Sequence, residues 1–294
     1  MSEAGRLEDE HYIRAKLYGG EKSSLRRYAD LVVGEHCSYR TLAKYELITF
    51  LFGGLRGALG LFLRKHFYRP LFRSVGRNVI FGRNLTIRHG SRIDLGDDVI
   101  LDDDCVLDAR GAGDEGIVIG NRVIVNRGAS IQAKIGPISI GDDTDIGMRS
   151  DIHSQGGVRI GREVTLAGST KIGGGRFRIE RSGAAAADDG VSFDAREQVR
   201  VTAGPVVIGD KTLVGMGAMF LDGVVIGEGS IIGAGSVCVR GTPPWSVAAG
   251  VPARVLKMRD GSAPPAEAPA AAPPTTATDP AAVATEPERA RVAR

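Results

Sequence analysis

Aromatic residues make up only 5% of the chain, with a single Trp, and Cys occurs three times in 294 residues. Three thiols far apart in sequence, Cys37, Cys105 and Cys238, provide neither a disulfide framework nor metal-ligand spacing. A formal net charge of +3 is too small to signal a nucleic-acid partner. The first thirty residues are polar and charged, with no basic start leading into an apolar run, so no secretory signal is expected and a cytoplasmic location is. An uninterrupted apolar run of roughly 20 residues, the length needed to cross a bilayer, is also missing. The stretch that comes nearest, ELITFLFGGLRGALGLFLRKHF from Glu46 to Phe67, carries Arg56 in its middle.

Acid is absent from one long segment. Between Leu47 and Ile93 there is no Asp or Glu against nine Lys or Arg, namely Arg56, Arg64, Lys65, Arg69, Arg73, Arg77, Arg83, Arg88 and Arg92. An apolar helical segment followed by such a run suits two roles that do not exclude each other. One is a cap over exposed strand edges; the other is peripheral contact of residues 46–92 with an anionic membrane face.

Glycine is abundant, at 41 residues, and it recurs with a period. In IGDKTLVGMGAMFLDGVVIGEGSIIGAGSVCV, large apolar residues fall at 208, 214, 220, 226, 232 and 238, with a mostly small residue two positions before each. A spacing of six fits neither an amphipathic helix nor simple strand alternation. Residues i−2 and i share one face of a strand, so each hexapeptide reads as a very short strand followed by a turn.

The same period runs upstream through Val75, Phe81 and Ile87, then Leu95, Leu101 and Leu107, and onward to Ile160, Leu166 and Ile172. It breaks only after every third hexapeptide, by 2, 6, 3, 2 and 30 extra residues in turn. Three hexapeptides therefore make one coil, and seven coils stacked at roughly 4.8 Å make a prism of roughly 35 Å. All insertions leave from one corner. The fold class is an all-β solenoid in four segments: an N-terminal lead and helical segment (1–74), the repeats (75–240, with a long loop at 173–207), a C-terminal cap (241–260) and a tail (261–294). That tail is dominated by Ala and Pro, lacks large apolar residues, and is expected to be disordered.

Together with GTPPWSVAAGVPARVLKMR at 241–259, this rhythm resembles the hexapeptide-repeat acyltransferases, and within them the branch that O-acetylates sugars of surface polysaccharides. The resemblance covers residues 75–259, and YELITFLFGGLRGALGLFLRK also looks like the N-terminal portion of some bacterial members. It implies a left-handed parallel β-helix, against the usual right-handed crossover, a homotrimer, and acetyl-coenzyme A held in the groove between neighbouring prisms. It places Gly217, Ala218, Ala234 and Gly235 along that groove and Arg254 and Lys257 on the coenzyme phosphates, where cationic groups form charge-assisted hydrogen bonds. Leu213 stands where many relatives have Trp.

Transfer to a hydroxyl needs a base, usually a His of near-neutral pKa. The family carries it near the start of the long loop. Here that loop contains no His, and Arg176 and Phe177 occupy its expected place. The candidate base is His153, one rung below Gly173 where the loop departs. Glu180, Asp188, Asp189 and Asp194 are loop carboxylates that could replace it, while Arg176 and Arg178 are candidates for holding an anionic acceptor or the oxyanion. The expected function is acetyl-CoA-dependent O-acetylation of a sugar or glycan acceptor, with no metal. The alternative is a catalytically silent β-helix that binds a glycan, coenzyme A or a partner subunit. A zinc hydratase on the same prism needs about three protein ligands, and the repeats hold only His89 and His153.

Overall fold

A computed structural model describes residues 23–35, 37–173, 176–178, 199–201 and 204–263, with the two short loop segments 176–178 and 199–201 described by their backbone alone. The residues expected to form a disordered tail lie outside these from 264 onward, as does most of the long loop.

The repeats form a left-handed parallel β-helix with three flat walls. Each wall is a stack of seven parallel strands, one per coil, so six turns separate the first strand from the seventh. Coil one comprises Ser74–Val75, Ile80–Phe81 and Thr86–Arg88, and coil seven comprises Val225–Ile226, Ile231–Ile232 and Val237–Cys238. Strand pairing keeps the hexapeptide register: on the second wall Ile80, Ile100 and Ile124 stand above one another, as do Phe81, Leu101 and Val125. The apolar residue of each hexapeptide points inward. Phe81, Leu101, Val125, Ile146, Leu166, Val214 and Ile232 form a continuous buried column, lined by the smaller Val99, Val123, Thr144, Val164 and Thr212.

Short strands need tight corners, and many turn residues take the left-handed backbone conformation, which Asn, Asp and Gly tolerate best. Asn78, Asn84, Asp98, Asp104 and Asp143 supply it at φ of 54–64°. Cys105 and Cys238 are buried, and burial pushes both thiols up to about 11.

Three helices close the base: α1 (Ser24–Val32), α2 (Tyr39–Phe52) and α3 (Gly57–Phe67). Ser23 and Ser38 cap the first two, each accepting at 3.2 Å from the amide three residues on. The apolar segment at 46–67 is thus two helices, separated at Gly53–Arg56. Tyr68 and Phe72, just after α3, lay their rings against Phe81 of coil one at 5.7 and 5.5 Å. The buried Arg64 donates to the carbonyls of Phe81, Phe52 and Leu55 at 2.9, 3.1 and 2.7 Å, tying both helices to the first coil. His89, buried, bonds the carbonyl of Asp30 at 2.9 Å and fastens α1 as well. The capping role expected of this segment is therefore present.

The basic run is less available than its composition suggests. Arg64 is enclosed, and Arg73, Arg77 and Arg83 pair with Asp94, Asp97 and Asp103 of coil two. At the other pole the chain adds a hairpin, Ser246–Gly250 with Ala253–Met258, whose first strand continues the second wall over Ile231 and Ile232.

Candidate functional site

Two corners of the prism carry the expected site residues. At the corner between third and first walls every insertion emerges, as the spacing predicts. His153 lies here, in the extended strand Asp151–Gln155. Strand register stacks Arg88, Asp108, Gln132 and His153 in one column. A Cβ on Gly173 would overlap the carbonyl oxygen of His153, so glycine is required where the long loop leaves, and its φ of +97° agrees. The loop thus starts directly over His153. Beyond it Arg176–Arg178 pairs antiparallel with Val199–Val201, with Arg176 opposite Val201 and Arg178 opposite Val199. Glu180, Asp188, Asp189 and Asp194 fall outside the described residues.

His153 is half-buried, and its Nε2 is enclosed with no hydrogen-bond partner among the described residues. An unsatisfied buried polar atom is costly and uncommon. Burial lowers the imidazole pKa, and the neighbouring charges of Lys134 and Lys171 lower it further against the opposing pull of Asp151. Lys171 itself is held by Asp151 at 2.7 Å. The ring is consequently neutral at pH 7, the form that accepts a proton. Lys134, half-buried, is likewise depressed by desolvation. Below it Arg110 and the buried Asp108 form a 2.6 Å ion pair. Lys134, Gln132 and Asp108 are surroundings the motif reading did not single out. Writing the repeats one under another would have found Asp108 and Gln132, since each follows the last apolar residue of its coil as His153 does.

The second corner joins the second and third walls. In coils five to seven it is built from Gly168-Ser169, Met216-Gly217 and Ala234-Gly235. Gly217 donates to the carbonyl of Gly168 at 3.0 Å and Gly235 to that of Met216 at 2.8 Å, stacking the three turns. Among the described residues nothing lies within 4 Å of where a Cβ would stand on Gly217 or Gly235, so the corner is a smooth edge there. Leu213, Met216 and Met219 flank it as exposed apolar side chains. Ala218 does not belong to this surface. It occupies the inward i−2 position, is fully buried, and uses its N–H and C=O in bonds to Gly215 and Lys171.

The terminal hairpin overhangs this edge. Ala249 packs over Gly233, Arg254 pairs opposite Ala249, and Lys257 pairs opposite Val247. Both basic residues are exposed. The structure thus brings Gly217, Ala234, Gly235 and Arg254 along one edge, with Lys257 farther along the same hairpin.

It does not bring that edge to His153. Strand register makes Leu221 the coil-six counterpart of His153. Gly217 is four residues before Leu221, roughly 13 Å along the third wall at about 3.3 Å per residue. Base and groove stand at opposite ends of that wall within one chain. Among the described residues no three His, Cys, Asp or Glu side chains are grouped so as to hold a metal ion.

The family model for the bacterial transferase hexapeptide (six repeats) matches residues 205–240, and that for the hexapeptide repeat of succinyl-transferase matches 137–169. Both matches fall within the seven coils, so the likeness to the hexapeptide-repeat transferases is carried by the repeats. It is 46% identical over 59 residues to a 2,3,4,5-tetrahydropyridine-2,6-dicarboxylate N-acetyltransferase of Brevibacillus brevis, a stretch that is 20% of this chain and 25% of that protein. The enzyme of the same name from Enterococcus faecalis is 42% identical over 59 residues, again 25% of its length. The chain therefore spans about a quarter of the curated relatives it matches. Among solved structures, AntD, an N-acyltransferase from Bacillus cereus in complex with dTDP and 3-hydroxybutyryl-CoA, overlaps 66% of this chain and 87% of its own at 20% identity and a TM-score of 0.44. A point mutant of perosamine N-acetyltransferase from Caulobacter crescentus, in complex with CoA and GDP-perosamine, overlaps 47% and 50% at 27% identity and a TM-score of 0.34.

Proposed function

We propose that the protein transfers an acyl group from an acyl-coenzyme A to a sugar, with acetyl transfer to a hydroxyl as the specific reaction. The observation that carries this reading is the open edge of Gly217, Ala234 and Gly235 beneath Arg254 in a chain of transferase hexapeptides. Glycines at the edge let a slender pantetheine lie against backbone between the flanking apolar side chains, and the cations above it suit phosphate. The coenzyme would supply the acyl group as a thioester whose thiolate leaves.

His153 is the proposed base: neutral, enclosed and lacking a partner for Nε2 among the described residues, it can take the acceptor proton as the hydroxyl oxygen attacks the thioester carbonyl. The proton then passes to the departing sulfur. Arg176 and Arg178, on the strand that follows the loop exit at Gly173, are proposed to hold an anionic acceptor. Because base and coenzyme edge occupy different corners of one prism, the complete site requires two copies packed corner to corner, as in a homotrimer. The likeness to 2,3,4,5-tetrahydropyridine-2,6-dicarboxylate N-acetyltransferases makes an amine the competing acceptor.

Free thiol release is the test, with acetyl-CoA and matched panels of hydroxyl and amino sugars. Acceptor-dependent turnover on hydroxyl sugars is expected; turnover confined to amino sugars would move the nucleophile from oxygen to nitrogen. Replacing Arg254 and Lys257 together by Ala should raise KM for acetyl-CoA by at least about tenfold, the scale of one charged hydrogen bond. Coenzyme binding that survives while no acceptor is ever acylated would instead support the silent scaffold.

A further inference from the structure

The helical base has a second face that capping does not use. Inward, α2 and α3 bury Leu42, Ile48 and Arg64. Outward, Leu47, Phe50 and Leu51 on α2, Leu55 in the turn between the helices, and Leu59 and Phe62 on α3 are all exposed, Phe50 to 86%. Spacings of three and four set Leu47, Phe50 and Leu51 along one side of α2 and Leu59 and Phe62 along one side of α3. Soluble monomers seldom leave so many large apolar side chains together in water.

We propose that this outer face docks on an anionic lipid bilayer. The charge around it selects the partner. Arg56 lies between Leu55 and Leu59, and Lys65 follows Phe62; both are exposed. No acidic residue occurs from Leu47 to Ile93. Apolar side chains at the headgroup boundary, rimmed by Lys and Arg that reach up to lipid phosphates, are what an interfacial helix presents. Packing of a second copy through the same face would set Arg56 and Lys65 of the two chains together with no carboxylate in the segment to offset them. No helix among the described residues is long and apolar enough to cross a membrane, so the hairpin lies on the surface. Arg73, Arg77 and Arg83 contribute little, being engaged with coil two.

Flotation of the full chain with phosphatidylcholine vesicles, with and without phosphatidylserine, tests this. The chain is expected to float with the serine-containing vesicles, at least about tenfold more than with phosphatidylcholine alone, and to be released by salt. A Phe50→Asp/Phe62→Asp variant should stay at the bottom, and Arg56→Glu/Lys65→Glu should do the same while keeping the wild-type unfolding midpoint, since these side chains are exposed. Absence of flotation, equal flotation on both lipids, or flotation undiminished in both variants overturns the proposal. So does a wild type that does not float and whose molar mass in light scattering falls on Phe50→Asp/Phe62→Asp, which assigns the face to contact between copies.

Discussion

His153→Ala lowers acyl transfer by about 10²–10⁴-fold while leaving coenzyme affinity within about twofold of wild type, as expected for a general base that takes the acceptor proton and does not itself hold the coenzyme. Thiol release at saturating acceptor, with coenzyme binding followed separately, reads both quantities. The pH profile carries the same claim further. Burial, Lys134 and Lys171 lower the imidazole pKa, so the proton-accepting form is already dominant at neutrality. Activity should be level above pH 7 and fall about tenfold per unit on the acid side, with a midpoint below the ordinary histidine value of about 6.5. Lys134→Met removes one of the repelling charges and should move that midpoint upward. A midpoint that stays fixed in Lys134→Met and a rate unchanged in His153→Ala would together transfer the base to the loop carboxylates.

The largest effect on stability belongs to Phe81→Ala. This side chain is fully buried where the helical base meets coil one, against the rings of Tyr68 and Phe72, and its own carbonyl receives Arg64. Truncating a buried Phe costs about 3–5 kcal/mol, from lost transfer energy and from the cavity left behind. The loss should be local in origin. A solenoid is held by neighbour-on-neighbour contacts, so a loosened first coil sheds its cap before the upper coils open. Denaturant unfolding followed by helical circular dichroism should show the shift, and hydrogen exchange should locate it in residues 74–88. A change below about 1 kcal/mol would mean the helices are held elsewhere.

Much of the fold was legible because the repeat leaves little choice. Inward residues at i and i−2, followed by a tight corner, fixed the coil boundaries and showed that Ile152 and Ile172 share a column, which put His153 beneath the loop exit. Periodicity could not supply the break of the apolar segment at Gly53–Arg56, because a helix pattern runs through both halves. It also could not reveal that Arg64 turns inward to bind three carbonyls, or that Arg73, Arg77 and Arg83 are engaged by Asp94, Asp97 and Asp103 one coil away. Ala218 was misplaced for the opposite reason. Family position was followed where the i−2 rule already pointed the side chain into the core.

The separation of the two corners was present in the sequence too, since Gly217 precedes Leu221 by four positions and His153 by register equals Leu221. It makes the composite site the central claim, and mixing two disabled variants addresses it directly. His153→Ala lacks the base, and Ala234→Trp blocks the exposed small-residue edge; each alone should be nearly inactive. Co-refolded or subunit-exchanged mixtures should recover acyl transfer well above either parent, because some interfaces pair an intact base with an intact edge. Mixtures no more active than the parents, with mixed oligomers verified by mass, would contradict a site shared between copies.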